Sequence, residues 1–165
     1  MNIKITRYQR SGQSIDGHLT IDDSLRLCDT AENRFSALPE GIYPVRIVKC
    51  KQYGRKMICL HTEPPCQQCD KIAEVSGNTP MPCHCPMLKP GNGIHNRNDG
   101  SIILGTNIAP GCLKHPKQAF DILYERIRKS ASRGHELTLE IAEAYPPPLT
   151  LYEACQDWLK RVENV

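Results

Sequence analysis

The chain has 165 residues, enough for one well-filled domain with a small appendage but not for two independent cores. Hydrophobic residues make up 39% and charged residues 24%, as in a globular chain rather than a disordered one. No apolar run approaches the roughly 20 residues that span a bilayer. The 21 Lys and Arg against 18 Asp and Glu give a net charge of +3, too mild to indicate nucleic-acid binding.

The N-terminus carries no apolar signal segment, because Met1 to Thr6 already alternates like a β-strand. We therefore expect a protein that is cytoplasmic as synthesised and exported only by lysis or a secretion machine. In a reducing compartment, clustered cysteines bind metal or remain thiols. The cysteine count of nine is odd, which excludes complete internal disulfide pairing.

The first part of the chain predicts short strands joined by turns. Ile3, Ile5 and Tyr8 alternate with polar residues, which is typical of a strand with one buried face. Turns are indicated at 11–14 and at Pro39-Glu40-Gly41. Further strands are predicted over residues 18–21, 25–28, 42–48 and 56–61.

The second part predicts one amphipathic helix between two strands, 101–105 and 137–141. Pro116 is suited to the first helical turn and Gly134 to the position just after the end. One face of this helix is apolar, at i, i+3 and i+4 spacing: Ala119, Phe120, Leu123, Tyr124 and Ile127. The pattern as a whole predicts an α+β fold with predominantly antiparallel β structure and one packed helix.

The last turns of this helix are basic. They hold Arg126, Arg128 and Lys129, and Arg133 follows. Phosphate binding is one interpretation, and favourable placement of cations at the negative end of a helix is the simpler one.

A polyproline hinge at 145–148 ends the domain, so we expect a single β-rich domain over 1–144 and an extension over 145–165. Thr150 and Glu153 form a capping box that opens a C-terminal helix. Its apolar stripe includes Trp158 and predicts docking, either on the same chain or on a second subunit in a homo-oligomer.

A cysteine-rich insertion over 62–93 has no periodicity, and such a loop is usually functional or held by something other than a core. It contains two close-set thiol pairs: Cys66 with Cys69, and Cys83 with Cys85. This spacing predicts a structural zinc site with four cysteine ligands, in which His84 is an alternative to one thiol. Two disulfides or four unligated thiols are the remaining alternatives.

The densest polar stretch of the chain runs from Gly91 to Ser101. His95 is a candidate general base toward Ser101, provided that the turn brings the two side chains within about 3 Å. Without that geometry, a histidine and a serine at this spacing form an ordinary hydrogen-bonded loop.

The chain resembles an uncharacterised bacterial and phage family, domain-of-unknown-function family number fifty-six seventy-five, from about residue 3 to residue 141. The resemblance lies in the order and spacing of these short motifs: Gly17-x-Leu19-x-Ile21, Leu27-Cys28-Asp29-Thr30-Ala31-Glu32, Pro39-x-Gly41-x-Tyr43, Gly93-Ile94-His95, Gly100-Ser101-Ile102-x-x-Gly105 and Arg133-Gly134-x-Glu136-x-Thr138-x-Glu140-Ile141. In layout that family is similar to the L,D-transpeptidase domain of cell-wall enzymes.

This resemblance implies a β sheet or barrel with a flanking helix, and a pocket that contains His95 together with Asn96 or Asn98. The position after the glycine is commonly cysteine in the family and is Ser101 here. A serine hydroxyl has almost no ionised population at neutral pH, whereas a thiol has some, so the exchange weakens a site built for sulfur. Cys112 is a candidate displaced nucleophile, with a small buried thiol as the plainer interpretation.

Three functions follow from these patterns. The first is an accessory or binding protein of phage or secretion origin, which retains the pocket and holds a cell-wall peptide or a protein partner. The second is an active acyl-transfer enzyme or peptidase that uses His95 with Ser101 or Cys112. The third is a zinc-stabilised protein-interaction module.

Overall fold

The computed structural model describes residues 1–50, 53–60, 86–94 and 99–144. These ranges contain nine strands and one helix. The elements in chain order are β1 (Asn2–Ser11), β2 (Ser14–Ile21), β3 (Leu25–Asn33), β4 (Gly41–Cys50), β5 (Arg55–Leu60), β6 (Met87–Pro90), β7 (Ile102–Ala109), β8 (Cys112–Lys114), α1 (Pro116–Ser132) and β9 (Thr138–Glu143).

The strands form one sheet in the order β3-β2-β1-β9-β4-β5-β6-β7-β8, and β3 also pairs with β7. This additional pairing closes eight strands into a barrel, and β8 is left as an extension of β7. Most neighbours are antiparallel, as the sequence predicts. The exceptions are β1 with β9 and β6 with β7, which are parallel.

Local sequence accounts for the first strands. Ile3 and Ile5 are fully buried in β1, and Leu19 and Ile21 are buried opposite them in β2. The hairpin between β2 and β3 turns through Asp22 and Asp23, both at positive φ, a conformation that Asp adopts more readily than most residues. The strands predicted over 18–21 and 25–28 are therefore confirmed, and they form one hairpin.

Helix α1 packs against β7 and β6. Ala119, Phe120, Leu123 and Ile127 are buried in the main core, as the helical spacing predicts, and Tyr124 packs partly against it. The helix ends at Ser132 with Arg133 as its C-cap, and Gly134 follows at φ 74°, in the left-handed region that glycine adopts without strain.

The structure corrects the predicted cysteine-rich insertion at its C-terminal end. Residues 87–90 form β6, which pairs with β5 on one side and β7 on the other. Met87, Leu88 and Lys89 are all buried. A strand buried on both faces has no alternation of polar and apolar residues. The prolines at its two ends, Pro86 and Pro90, also favour a loop over a strand in a sequence-based prediction. Strand β8 was also not predicted.

Among the described residues, no helix has the length and apolar character needed to cross a membrane. The C-terminal extension, 145–165, lies outside the described residues, so the capping box and the docking of the Trp158 stripe stay predictions.

Candidate functional site

Ser101 lies directly before β7, where the family resemblance places a nucleophile, and it is only 3% exposed. Its hydroxyl oxygen accepts the backbone N–H of Met87 at 3.1 Å. Its own backbone N–H donates to Oδ1 of Asp99 at 3.0 Å. The hydroxyl also hydrogen-bonds to the Asp99 carboxylate. The serine is thus held by its backbone and by its side chain.

Asp99 has a second partner, because Nζ of Lys89 donates to Oδ2 of Asp99 at 2.5 Å. The Lys89 side chain is 5% exposed, and its ammonium lies 5.3 Å from the centre of the Tyr53 ring. A buried ammonium requires a close carboxylate. Lys89, Asp99 and Ser101 consequently form one polar cluster between β6 and β7, which we call the Ser101 cluster.

The electrostatics of this cluster keep the Asp99 carboxylate charged. Burial raises its pKa, but hydrogen bonds from Lys89 and Ser101 and the charge of Lys89 outweigh burial, so the pKa of Asp99 lies below the ordinary value. A carboxylate with a low pKa is a weak base. Asp99 is therefore suited to fixing Ser101 in position and poorly suited to removing its proton.

Cys112 lies at the start of β8, which forms an antiparallel hairpin with β7. Its backbone bridges to Gly93, and Leu113 donates its N–H to the carbonyl oxygen of Asn92 at 2.8 Å. The Cys112 side chain is partly exposed. The backbone of Cys112 thus lies beside Gly93, which precedes His95 by two residues in the sequence.

Two aspartates that the sequence did not single out as site residues fix this hairpin. Asp16 is fully buried and accepts the backbone N–H of Gly111 at 2.9 Å through Oδ1. Asp29 accepts the backbone N–H of Asn107 at 2.8 Å. Asp29 falls within a motif of the family resemblance, but no local pattern connects either carboxylate to a hairpin about 80 residues or more away.

The hairpin of β7 and β8 can accommodate only glycine at two positions, one on β7 and one in the turn. A Cβ on Gly105 would lie 2.6 Å from the carbonyl oxygen of Lys114. Gly111 has φ 70°, and a Cβ there would lie 2.9 Å from Cβ of Ser14. Larger residues at these positions would push the hairpin, and Cys112 with it, off the barrel.

Several predicted site residues lie outside the described residues. They are His95, Asn96, Asn98, Cys66, Cys69, Cys83, His84 and Cys85. The pairing of His95 with Ser101 and the zinc site therefore stay predictions. Within the described ranges, no group of three or more His, Cys, Asp or Glu side chains is placed to hold a metal ion.

A shallow cleft of about 520 Å³ lies at the N-terminal end of α1. It is lined by His115, Pro116, Lys117, Gln118, Asp121 and Ile122. Neither Ser101 nor Cys112 contributes to it, so this cleft is separate from the chemistry that the sequence indicates.

Comparison with known proteins returned no matching family model, no matching curated protein and no matching solved structure. The family resemblance thus stays a prediction, and the function must be argued from the residues themselves.

Proposed function

We propose that this chain is a binding protein of phage or secretion origin that retains an L,D-transpeptidase-like pocket and holds a cell-wall peptide without cleaving it. The observation that carries the proposal is the state of Ser101, at the position where the resembling family commonly has cysteine. Its hydroxyl accepts the Met87 N–H at 3.1 Å and is 3% exposed, so it is engaged in the fold rather than presented to a substrate.

Nucleophilic serine needs a base that removes its proton and a free approach to the carbonyl carbon. The group bonded to the Ser101 hydroxyl is Asp99, whose pKa is lowered by its bonds to Lys89 and Ser101 despite its burial. The same bonds hold the backbone and side chains of Asp99 and Ser101 in place, and such preorganisation favours binding because fewer groups must be ordered when a ligand arrives.

The test is binding and turnover of one synthetic cell-wall stem peptide by the full chain. Calorimetric titration is expected to show saturable binding, and mass spectrometry is expected to find the peptide unchanged and no acyl adduct on the protein. Asp99→Asn removes the charge that holds Lys89, so it is expected to lower the free energy of unfolding by roughly 1.5–3 kcal/mol and, because the Ser101 turn loses its anchor, to weaken peptide binding measurably. Glu125→Gln, on the exposed face of α1, is the matched control.

Two results would overturn this proposal. One is cleavage or transfer of the peptide by the wild type that Ser101→Ala abolishes. The other is the absence of binding by a wild-type chain whose thermal unfolding shows that it is folded.

A second candidate function is acyl transfer with Cys112 as nucleophile, and the bridge between Gly93 and Cys112 favours it. The bridge holds the backbone of Cys112, whose side chain is partly exposed, beside Gly93, which precedes His95, the base implied by the resemblance, by two residues in the sequence. By contrast, burial first and the nearby Asp29 charge second raise the pKa of the Cys28 thiol to about 12, so Cys28 is inert.

Covalent labelling separates this candidate from simple binding. If Cys112 is activated, iodoacetamide modifies it faster than a model thiol, His95→Ala removes that advantage, and Cys112→Ser abolishes peptide turnover. Cys28→Ser is the control and is expected to change neither the labelling rate of Cys112 nor peptide turnover. Labelling of Cys112 at the rate of a model thiol, unaffected by His95→Ala, would exclude it as the nucleophile.

A further inference from the structure

The segment between β6 and His95 contains the pair Asn92-Gly93, the only Asn-Gly dipeptide in the chain. An asparagine followed by glycine readily loses its side-chain amide, because glycine has no Cβ to hinder the approach of its backbone nitrogen to the preceding side chain. The other described asparagines precede isoleucine or arginine: Asn2, Asn33 and Asn107. The sequence therefore makes Asn92 the described asparagine that is most open to this chemistry.

The structure leaves the Asn92 side chain accessible and weakly restrained. Asn92 lies at a bend two residues after the end of β6, and it is exposed. Its side-chain nitrogen donates to the carbonyl oxygen of Leu113 at 3.5 Å, which is long for a hydrogen bond between nitrogen and oxygen. The side chain can therefore rotate toward Gly93 without giving up a strong contact.

The backbone nitrogen of Gly93 lies on the side of the chain away from β8. The N–H of Leu113 donates to the carbonyl oxygen of Asn92 at 2.8 Å, and this bond flanks the bridge between Gly93 and Cys112. In such an antiparallel pair the two opposed residues do not bond to each other, so the Gly93 N–H points away from Cys112. In the part of the chain that the structure describes, no acceptor engages it.

The pair Asp99-Gly100 provides a contrast within the same region of sequence. An aspartate before glycine forms the same cyclic imide when its carboxyl group is free and protonated. Both oxygens of Asp99 are engaged, Oδ1 by the N–H of Ser101 and Oδ2 by Nζ of Lys89. A carboxylate that is kept charged by such partners resists attack by a nucleophile. The fold thus protects Asp99 and leaves Asn92 open.

We propose that Asn92 is a modification site, at which the folded protein deamidates spontaneously to aspartate and isoaspartate and thereby loosens β8. The Gly93 nitrogen loses its proton and bonds to the side-chain carbonyl carbon of Asn92. The side-chain nitrogen takes up a proton and leaves as ammonia, which closes a cyclic imide. One water molecule then opens the ring: cleavage at the side-chain carbonyl gives aspartate, and cleavage at the main-chain carbonyl gives isoaspartate.

Both products change the contact between Asn92 and β8. The amide that donates to Leu113 becomes a carboxylate, which has no proton to donate to a carbonyl oxygen. In isoaspartate the main chain also runs through the former side chain and is one carbon longer. The carbonyl that accepts the Leu113 N–H is then no longer part of the main chain, and the bridge between Gly93 and Cys112 loses its register. The conversion therefore acts on the hairpin that carries Cys112.

The experiment incubates the full chain in mildly alkaline buffer and follows it by peptide mass spectrometry and by enzymatic methylation of isoaspartate. Asn92 is expected to gain the single mass unit that separates an acid from an amide at least about tenfold faster than Asn33 or Asn107, a difference of roughly 1.4 kcal/mol in the barrier. The rate is expected to rise with pH, because hydroxide generates the attacking nitrogen. Hydrogen exchange of the Leu113 N–H is expected to be about tenfold faster in the converted protein.

The matched control is Asn92→Gln, which keeps an exposed amide but would have to close a larger and less favourable ring. It is expected to gain no mass at this position and to keep its Leu113 exchange rate throughout the incubation. The urea-unfolded wild type gives the rate without the fold, and the native chain is expected to react at a similar rate. Three results would overturn the proposal: conversion of Asn92 no faster than that of Asn33 and Asn107, protection by the fold of about tenfold or more, or conversion that leaves Leu113 exchange unchanged.

Discussion

The carboxylate of Asp16 accepts the backbone N–H of Gly111 at 2.9 Å, across 95 positions of the chain. Asp16 lies on β2 and Gly111 in the turn between β7 and β8. This bond joins the barrel to the hairpin that carries Cys112, and it is fully buried. Ser14 and Asn107 also hydrogen-bond to the carboxylate, so a single side chain fixes the geometry of the turn.

Asp16→Asn is expected to change how stability depends on pH. Burial raises the pKa of Asp16 above its ordinary value of 3.8, although hydrogen bonds from Gly111, Ser14 and Asn107 oppose the shift. With a raised folded-state pKa, the folded protein binds more protons than the unfolded one, so this group reduces stability as pH rises from about 4 through the raised value. Urea unfolding from pH 3 to 7 is expected to show that the free energy of unfolding of the wild type falls with rising pH relative to that of Asp16→Asn.

Asp16→Ala is the companion variant. It leaves the Gly111 N–H without its acceptor and is expected to lower the free energy of unfolding by about 1–3 kcal/mol at pH 3 and by less at pH 7, where the buried wild-type carboxylate is charged. Identical pH profiles for the wild type and Asp16→Asn would mean that the carboxylate is not titrating in the folded protein over this range.

Glu32→Gln is expected to destabilise the fold strongly. Glu32 and Arg7 are 1% and 2% exposed, and the guanidinium donates to both carboxylate oxygens, at 2.8 and 2.9 Å. Glu143, which lies 3.2 Å from the Arg7 guanidinium, remains as its second carboxylate, so losing the charged hydrogen bonds to Glu32 is expected to cost about 1.5–3 kcal/mol. Chemical unfolding measures the loss. Glu125→Gln, which breaks an exposed ion pair on α1, is expected to leave the midpoint nearly unchanged, and an equal shift in both variants would contradict the argument.

Ser101→Cys tests whether His95 or Asp99 has the larger effect on the pKa of a thiol at position 101. If His95 governs the site, the new thiol has a lowered pKa and reacts quickly with iodoacetamide. If Asp99 governs it, the neighbouring negative charge and the 3% exposure suppress the thiolate, and the reaction is slow. We expect slow labelling, and faster labelling in the double variant with Asp99→Asn. Labelling faster than a model thiol in the single variant would assign control to His95.

Zinc content tests the cysteine insertion. Cys66, Cys69, Cys83 and Cys85 are expected to bind one zinc, with Zn–S distances of about 2.3 Å by X-ray absorption. A chelator is expected to lower the thermal midpoint, because metal binding contributes to folding. Cys69→Ser is expected to lose the metal, whereas Cys112→Ser keeps it. Purified protein without stoichiometric metal would leave disulfides or free thiols as the explanation.

Elements with a regular period could be predicted from the sequence, because the period reflects which face is buried. Ile3 and Ile5 alternate in β1, and Phe120, Leu123 and Ile127 repeat with helical spacing in α1. All five are buried as predicted. The ends of α1 were also readable, since Pro116 and Gly134 act on their own backbone conformations rather than through distant partners.

Tertiary structure decided which elements meet. The parallel pairing of β1 with β9 and the closure of β3 on β7 pair residues that are 70 or more positions apart in the sequence, and no local period predicts such a pairing. Strand β6 was missed for a related reason, since burial on both faces erases alternation.

The candidate site shows the same division. The sequence by itself placed Cys112 in a glycine–cysteine turn after Ser101, and it predicted, through the family resemblance, that Ser101 replaces a cysteine. Only the tertiary structure shows that the Ser101 hydroxyl hydrogen-bonds to Met87 and Asp99. It also shows that Asp16 accepts a hydrogen bond from the turn before Cys112. The physical reason is that hydrogen-bond partners are set by distance in space, and strand pairing brings together groups that the sequence keeps far apart.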